Sequence, residues 1–179
     1  MFFCSSLVLL KTKKRRIKMI PTSYLMEVSQ GVVIVDSRTI SINYERPLER
    51  EILLEKYDFV HRSIFEEEVL SEDDLAKKSG LIDVYIICFD RAITSRGVME
   101  EFQKMKVSPA GIRELVAISR EYPHLQEEHQ ILALGQDFDW NEKEKYIPFI
   151  GFCENGGRFL SMTWSGHRWD RHKRFIAIA

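Results

Sequence analysis

Residues 159–179 read FLSMTWSGHRWDRHKRFIAIA, a strictly alternating start, a charged and aromatic middle, and an apolar end. Side chains of a β-strand point to opposite faces at successive residues. Leu160, Met162 and Trp164 are therefore predicted to point into the core, and the residues between them to point outward. Trp169 and Phe175 are predicted to anchor the connecting loop. The stretch thus predicts a regular frame that carries a mixed polar and aromatic face.

The segment just before this stretch predicts its hairpin partner. Residues 146–152, YIPFIGF, have the composition of a strand, and Asn155-Gly156 is the strongest short hairpin signal in the chain. Aromatic residues at outward positions would form an exposed cluster, and exposed apolar patches mark contact surfaces. The candidates for exposure here are Phe149, Gly151, Phe152 and Phe159.

The rest of the chain predicts strands first and helices in the middle. Strands are predicted at 23–28, 31–37, 39–44, 81–89 and 130–138. Helices are predicted after Pro47, within 65–80 from a Ser71 cap, from Thr94-Ser95, and from near Pro109. The order predicts an α+β fold, with two helices in the middle and a C-terminal block of short antiparallel strands and loops. One domain over residues 19–179 accounts for this length.

Residues 1–18 stand apart as an apolar and basic extension. The apolar run 2–10 is too short to span a bilayer, which takes about 20 residues, and its positive charge follows it, unlike a signal peptide. Two interpretations stay open: a strand with a basic tail for an anionic surface, or an upstream extension of a protein that starts at Met19. The sequence predicts a soluble chain with no membrane span and leaves its compartment and oligomeric state open.

Charge and composition disfavour a general nucleic-acid binder. The formal net charge is −1, and without the six basic residues of 11–18 the chain has 20 basic against 27 acidic residues, a charge of −7. An acidic body repels phosphate backbones. The basic and aromatic run 166–174 could stack bases, but arginine beside tryptophan is equally typical of protein-binding hot spots. A nucleic-acid module therefore remains the second choice.

Neither catalysis nor metal binding has a clear signature. The sequence lacks a Gly-rich phosphate loop, G-x-S-x-G and H-E-x-x-H. Cys4, Cys88 and Cys153 are odd in number and form no C-x-x-C pair, which favours reduced cysteines. His167 and His172 could join Asp170 and Cys153 at a zinc ion in principle. Because the histidines are five residues apart without clear periodicity, no metal site is predicted. Because the catalytic motifs are missing, no cofactor and no catalytic residue is predicted either.

From about residue 39 onward the chain resembles a group of small proteins of uncultivated microbes and their viruses. Ten segments keep the order and spacing of that group. They are INY (42–44), KYDF (56–59), FDRAITS (89–95), PAGIRELVA (109–117), YPHLQ (122–126), ILALG (131–135), YIP (146–148), GGRFLSMTW (156–164), WD (169–170) and RFIAI (174–178). The group is similar to the variable proteins of diversity-generating retroelements.

This resemblance implies a C-type-lectin-like fold, related to that of the formylglycine-generating enzyme, and a non-enzymatic display protein. Its C-terminal region, here about 146–179, would be hypervariable and would bind changing protein or cell-surface targets. A nucleic-acid-binding module or a degenerate formylglycine-generating-type enzyme is the alternative. The enzyme would need a metal or a reactive cysteine pair.

The resemblance also implies which positions can vary. Adenine-directed change of AAY codons yields NNY codons, which never encode Trp, Met, Lys, Glu or Gln. The frame of the site would be Leu160, Met162, Trp164, Trp169 and Phe175. The candidate ligand-binding residues are Phe149, Gly151, Phe152, Phe159, Ser161, Thr163, Ser165, Gly166, His167, Arg168, Arg171 and His172. Asp170 belongs to the W-D motif, and Lys173 and Ala179 depart from the group's pattern.

Overall fold

The computed structural model describes residues 31–66, 78–141 and 144–179. The extension 1–18, the predicted strand 23–28 and most of the predicted helix within 65–80, including Ser71, lie outside these residues.

Eleven strands and five helices follow one another in the described ranges. The strands are β1 (Val32–Ile42), β2 (Phe59–Val60), β3 (Gly80–Phe89), β4 (Ile93–Thr94), β5 (Ser108–Pro109), β6 (Ile131–Ala133), β7 (Phe138–Asn141), β8 (Glu144–Phe152), β9 (Arg158–Trp164), β10 (Arg168–Trp169) and β11 (Arg174–Ile178). The helices are α1 (Leu48–Leu54), α2 (Ser63–Glu66), α3 (Ser95–Met105), α4 (Ile112–Glu121) and α5 (Leu125–Glu128).

The predicted α+β class is confirmed, because one large sheet carries a few helices. Its strand order is β1-β3-β11-β6-β8-β9-β2, with β5 on β11 and β7 on β8, while β10 and β4 form a separate ribbon. Neighbours are antiparallel except the β11–β6 and β2–β9 pairs. The predicted C-terminal strands include the antiparallel β8–β9 pair, while β11 lies between β3 and β6 in the middle of the sheet and is parallel to β6.

The predicted strands 31–37 and 39–44 are one continuous strand. β1 pairs with β3 along its length, and a bulge between Ile34 and Asp36 takes up the irregularity at Asp36-Ser37. A bulge adds a residue to one strand without ending the ladder. The polar pair that looked like the end of a strand is therefore inside it.

Both faces of the sheet are buried in cores. Ile86 and Ile87 are successive residues of β3, so their side chains point to opposite faces, and each belongs to a different apolar cluster. The first core includes Ile40, Ile86, Ile112, Leu115, Ile131, Ile150, Leu160 and Ile176. The second core includes Ile87, Phe89, Val98, Phe102, Leu132, Ile147, Trp169 and Phe175. The first core thus packs under α4 and the second under α3.

The two longest described helices, α3 and α4, follow their predicted apolar faces, but α4 begins later than predicted. The Thr94 hydroxyl caps α3 by accepting from the Gly97 amide at 3.2 Å. Pro109 does not open α4, because it pairs with Ala177 as part of β5. α4 is capped at Gly111, whose amide donates to Glu114 Oε2 at 2.8 Å. None of the described helices is long and apolar enough to cross a membrane.

Candidate binding surface

The β8–β9 hairpin brings five predicted site residues to one face of the sheet. Its register pairs Phe149 with Ser161 and Gly151 with Phe159, and Thr163 lies opposite Ile147. Cross-strand partners in an antiparallel pair point to the same face. Because Ile147 belongs to the second core and Phe149 packs against it, this face is the α3 side of the sheet. Phe149, Phe159, Ser161 and Thr163 are half-buried there.

Phe152 does not join that face. It is 38% exposed, but strand alternation places it with Ile150 on the side of the first core. Its cross-strand partner is Arg158. The predicted grouping of Phe152 with Phe149 and Gly151 is therefore wrong, because successive residues of one strand cannot share a face.

Gly151 is buried beneath an aromatic ring, so the prediction that it is exposed is wrong. A Cβ atom at this position would lie 2.5 Å from Cζ of Phe159. The Phe159 ring in turn meets Phe149 edge to face, with ring centroids 5.4 Å apart. The hairpin surface here is made by the two phenylalanine rings, and the glycine makes room for one of them.

Trp164 does not point into the core, in contrast to Leu160 and Met162. Leu160 is fully buried, and Met162 is half-buried and packs against the first core, as the alternation predicts. Trp164 is 43% exposed, because β9 extends past the apolar part of the sheet and its cross-strand partner Tyr146 is itself only half-buried. Its indole instead covers the space that a side chain at Gly166 would need.

Trp169 is the buried tryptophan of the site. It is 4% exposed and meets the ring of Phe175 at 6.3 Å between centroids. β10 holds it in place by pairing with β4, where Trp169 lies opposite Ile93. Phe175 is 1% exposed, so both residues that were predicted to anchor the loop are buried.

Ser95 ties the loop after β9 to the start of α3. Its hydroxyl donates to the Ser165 carbonyl at 2.6 Å and accepts from Trp169 Nε1 at 2.9 Å. The Ser165 amide donates to the Lys145 carbonyl at 2.8 Å. These bonds fix both ends of the turn between β9 and β10.

Residues 165–173, here named the distal loop, present most of the remaining candidates to solvent. Ser165 is half-buried, and the His167 ring lies edge-on between Trp164 at 5.4 Å and Trp169 at 5.5 Å. The exposed members of the predicted set are Gly166, His167, Arg168, Arg171 and His172.

The second half of the distal loop is a turn built by Asp170. Its Oδ1 accepts from the His172 amide at 2.7 Å, and its carbonyl accepts from the Lys173 amide at 3.2 Å. Local bonds of this kind are the usual role of aspartate in turns. The Lys173 ammonium donates to Gln130 Oε1, which ties the turn to the residue before β6.

Arg174 holds the C-terminal end of the distal loop and also contacts His129. Its guanidinium donates to the Arg171 carbonyl at 3.0 Å, and its NH2 group lies 3.0 Å from Nε2 of His129. A guanidinium has no acceptor, so Nε2 must be unprotonated in this contact. Burial, and then the charge of Arg174, lower the pKa of His129 below its usual value, which is consistent with a neutral imidazole here.

The described cysteines do not form a pair. Cys88 is half-buried in β3, and Cys153 is exposed at the hairpin turn. Strand order places them about three interstrand spacings apart, roughly 14 Å, which is too far for a disulfide. In the described part of the chain, no group of three or more His, Cys, Asp or Glu residues is arranged to hold a metal ion.

Comparisons with protein-family models, curated proteins and solved structures found no match to this chain.

Two residues that support the site were not among the site residues predicted from the sequence. Ser95 lies 70 residues from its partner Ser165. Arg158 holds the other side of the hairpin: its guanidinium lies over the Tyr57 ring at 5.1 Å and donates to the Glu55 carbonyl at 3.0 Å. It also donates to Ser119 Oγ at 2.7 Å. Both residues act through contacts that only the assembled fold creates.

Proposed function

We propose that the chain is a non-enzymatic ligand-binding display protein with a C-type-lectin-like fold. It is similar in kind to the variable proteins of diversity-generating retroelements. Its surface within residues 146–179 would be rewritten to bind changing protein or cell-surface targets. The observation that carries the proposal is the separation between what holds the distal loop and what the loop displays.

The bonds that hold the distal loop depend little on the side chains that it displays. Ser165 is held through its backbone by Lys145 and Ser95, and Trp169 is held by burial and by Ser95. At the other end, the Arg174 amide donates to the Gln130 carbonyl at 3.0 Å. Side chains at Arg168, Arg171 or His172 can therefore be exchanged at little cost to the fold.

The amino acids that NNY codons can encode agree with this separation between the residues that hold the distal loop and the residues that it displays. Lys145, Trp169, Lys173 and Gln130 support the loop, and NNY codons encode none of Lys, Trp or Gln. The exposed residues of the loop are all NNY-encodable. A frame that is ordered before binding keeps the entropy cost of association low, which suits a surface that must accept many targets.

The geometry supports a smaller set of variable positions than the twelve candidates named from the sequence. Gly151 and Gly166 have their space filled by Phe159 and Trp164, and Phe152 lies on the opposite face of the sheet. The proposed binding surface therefore consists of two parts. They are Phe149, Phe159, Ser161 and Thr163 on the hairpin, and Ser165, His167, Arg168, Arg171 and His172 on the distal loop.

The two alternatives have less support. Of the four basic residues at 166–174, Lys173 and Arg174 are half-buried and bonded within the protein, so two arginines remain for a nucleic acid. The formylglycine-type enzyme needs a metal or a reactive cysteine pair, and Cys88 and Cys153 are held apart by the sheet. Ligand binding accounts for the exposed aromatic and arginine side chains without either requirement.

The decisive experiment is on the gene. We expect the locus to contain a near-copy of the codons for residues 146–179 that differs mainly at adenines, beside a reverse-transcriptase gene. A fully sequenced locus without such a copy rejects the proposal. A copy whose adenines fall on the codon of Trp169 would contradict the division between frame and display.

A further inference from the structure

The distal loop concentrates positive charge on an acidic protein. The distal loop and the adjoining Arg174 together contain four basic residues and one acid, Asp170, a formal charge of +3 against −1 for the whole chain. The rest of the chain therefore has a formal charge of −4. The carboxylate of Asp170 already has a hydrogen-bond partner, because its Oδ1 accepts from the His172 amide. The loop is thus a basic patch, and the Asp170 side chain is bonded to the backbone of the loop.

Two arginines in this patch are exposed on fixed backbone. Arg168 belongs to β10 and lies opposite Thr94, and Arg171 lies in the turn that Asp170 and Arg174 close. Arginine pairs with carboxylates through two parallel hydrogen bonds, which gives direction as well as strength. Backbone held in this way loses less conformational freedom when such bonds form.

An exposed indole lies at the end of β9, four residues before Arg168 in the chain. Trp164 is 43% exposed, and His167 lies edge-on between it and the buried Trp169. Tryptophan and arginine are the residues that most often dominate binding energy at protein interfaces. The indole is an exposed apolar and aromatic side chain just before the distal loop.

We propose that this side-chain set recognises an acidic protein segment, with carboxylates on Arg168 and Arg171 and an apolar or aromatic side chain on Trp164. The inference rests on the proposed function and names the chemistry of its present target. A nucleic acid fits less well. Two phosphate contacts give a slope of only about −2 in log affinity against log salt, a weak electrostatic term.

The test uses the full chain and a short fluorescein-labelled peptide of alternating glutamate and tyrosine, followed by fluorescence anisotropy at low salt. We expect the peptide to bind, and Arg168→Glu and Arg171→Glu each to weaken binding by about tenfold or more. The matched control is Arg50→Glu, which makes the same charge change at an exposed position of α1, and we expect less than about a twofold effect there.

Three results would overturn the inference. One is a peptide that does not bind, another is an equal loss of affinity in all three variants, and the third is tighter binding of an oligothymidylate of the same length. Arg168→Gln and Arg171→Gln, which remove the charge without reversing it, keep the test valid if a reversal disturbs folding. These outcomes leave the proposed function standing, because that proposal fails only if the gene locus lacks the template copy.

Discussion

Trp169 and Ser95 are joined by a 2.9 Å hydrogen bond from the indole Nε1 to the hydroxyl, although 74 residues separate them in the chain. The same hydroxyl donates to the Ser165 carbonyl at 2.6 Å. One serine at the start of α3 therefore satisfies a buried donor and orients the turn that begins the distal loop.

Ser95→Ala is expected to destabilise the fold by about 1–3 kcal/mol, because it leaves the buried indole N–H without its acceptor. Urea unfolding followed by tryptophan fluorescence measures this. The matched control is Ser37→Ala, at an exposed position of β1, with an expected change within about 0.5 kcal/mol. Equal stability of Ser95→Ala and the wild type would mean that the bond does not hold the loop.

The two tryptophans of the site should differ in their contribution to stability. Trp169→Ala removes a nearly fully buried side chain and is expected to cost about 3–5 kcal/mol. Trp164→Ala removes an indole that is 43% exposed and should cost less, about 2–3 kcal/mol, in proportion to its smaller buried area. Each variant is the control for the other in thermal and urea unfolding. A larger loss for Trp164→Ala would contradict the assignment of the frame.

Gly151 and Phe159 should behave as one unit. Gly151→Ala forces the Phe159 ring to move, since the new Cβ would lie 2.5 Å from it, at a cost of about 1–3 kcal/mol. In a Phe159→Ala background the space is open and the same substitution should cost far less. Unfolding free energies of the four proteins give the coupling, expected above about 0.5 kcal/mol. Additive effects would show that the ring does not depend on the glycine.

Stability should fall in mild acid through His129. Burial and Arg174 lower the pKa of His129 from its ordinary value of 6.5, so at pH values between the lowered and the ordinary pKa the unfolded chain binds more protons than the folded one. Stability from this group is therefore complete above about pH 6.5 and is lost as pH falls through the folded pKa. The charges that face the ring are those of Arg174, Glu128 and His172.

Replacing His129 by glutamine keeps an acceptor for Arg174 and removes the titration. His129→Gln should flatten the dependence of unfolding free energy on pH between about 5 and 7. If the variant keeps the wild-type slope, other groups carry the acid sensitivity.

Local patterns predicted the hairpin well, because a turn and its strands depend on neighbouring residues. Asn155-Gly156 gives the turn, in which the Cys153 amide donates to the Gly157 carbonyl at 2.7 Å, and Gly156 takes a positive φ of 93° that glycine adopts without strain. The burial of Leu160 and the partial burial of Met162 follow from alternation alone. These features need no knowledge of the rest of the chain.

The errors arise where burial depends on distant elements. Alternation gives the face of Trp164 but not the point at which the core ends, and Tyr146 at the end of β8 leaves that indole uncovered. It also assumes one solvent face, whereas α3 and α4 bury both faces of this sheet. Phe152 was grouped with Gly151 although successive strand residues point to opposite faces, and Gly151 is covered by the Phe159 ring. The contacts of Ser95 and Arg158 depend on strand order that no local pattern encodes.

Because β11 lies in the middle of the sheet, the protein can fold only if the codons of β11 are translated in the correct reading frame. NNY codons contain no stop codon, since all three stop codons end in a purine, so substitutions of that kind always leave a complete chain. An insertion or deletion within 146–173 whose length is not a multiple of three would instead change the residues of β11, and the sheet would lose the strand that joins β3 to β6. If the proposed function is correct, frameshifted products would fail to fold, so the displayed repertoire would contain only in-frame variants.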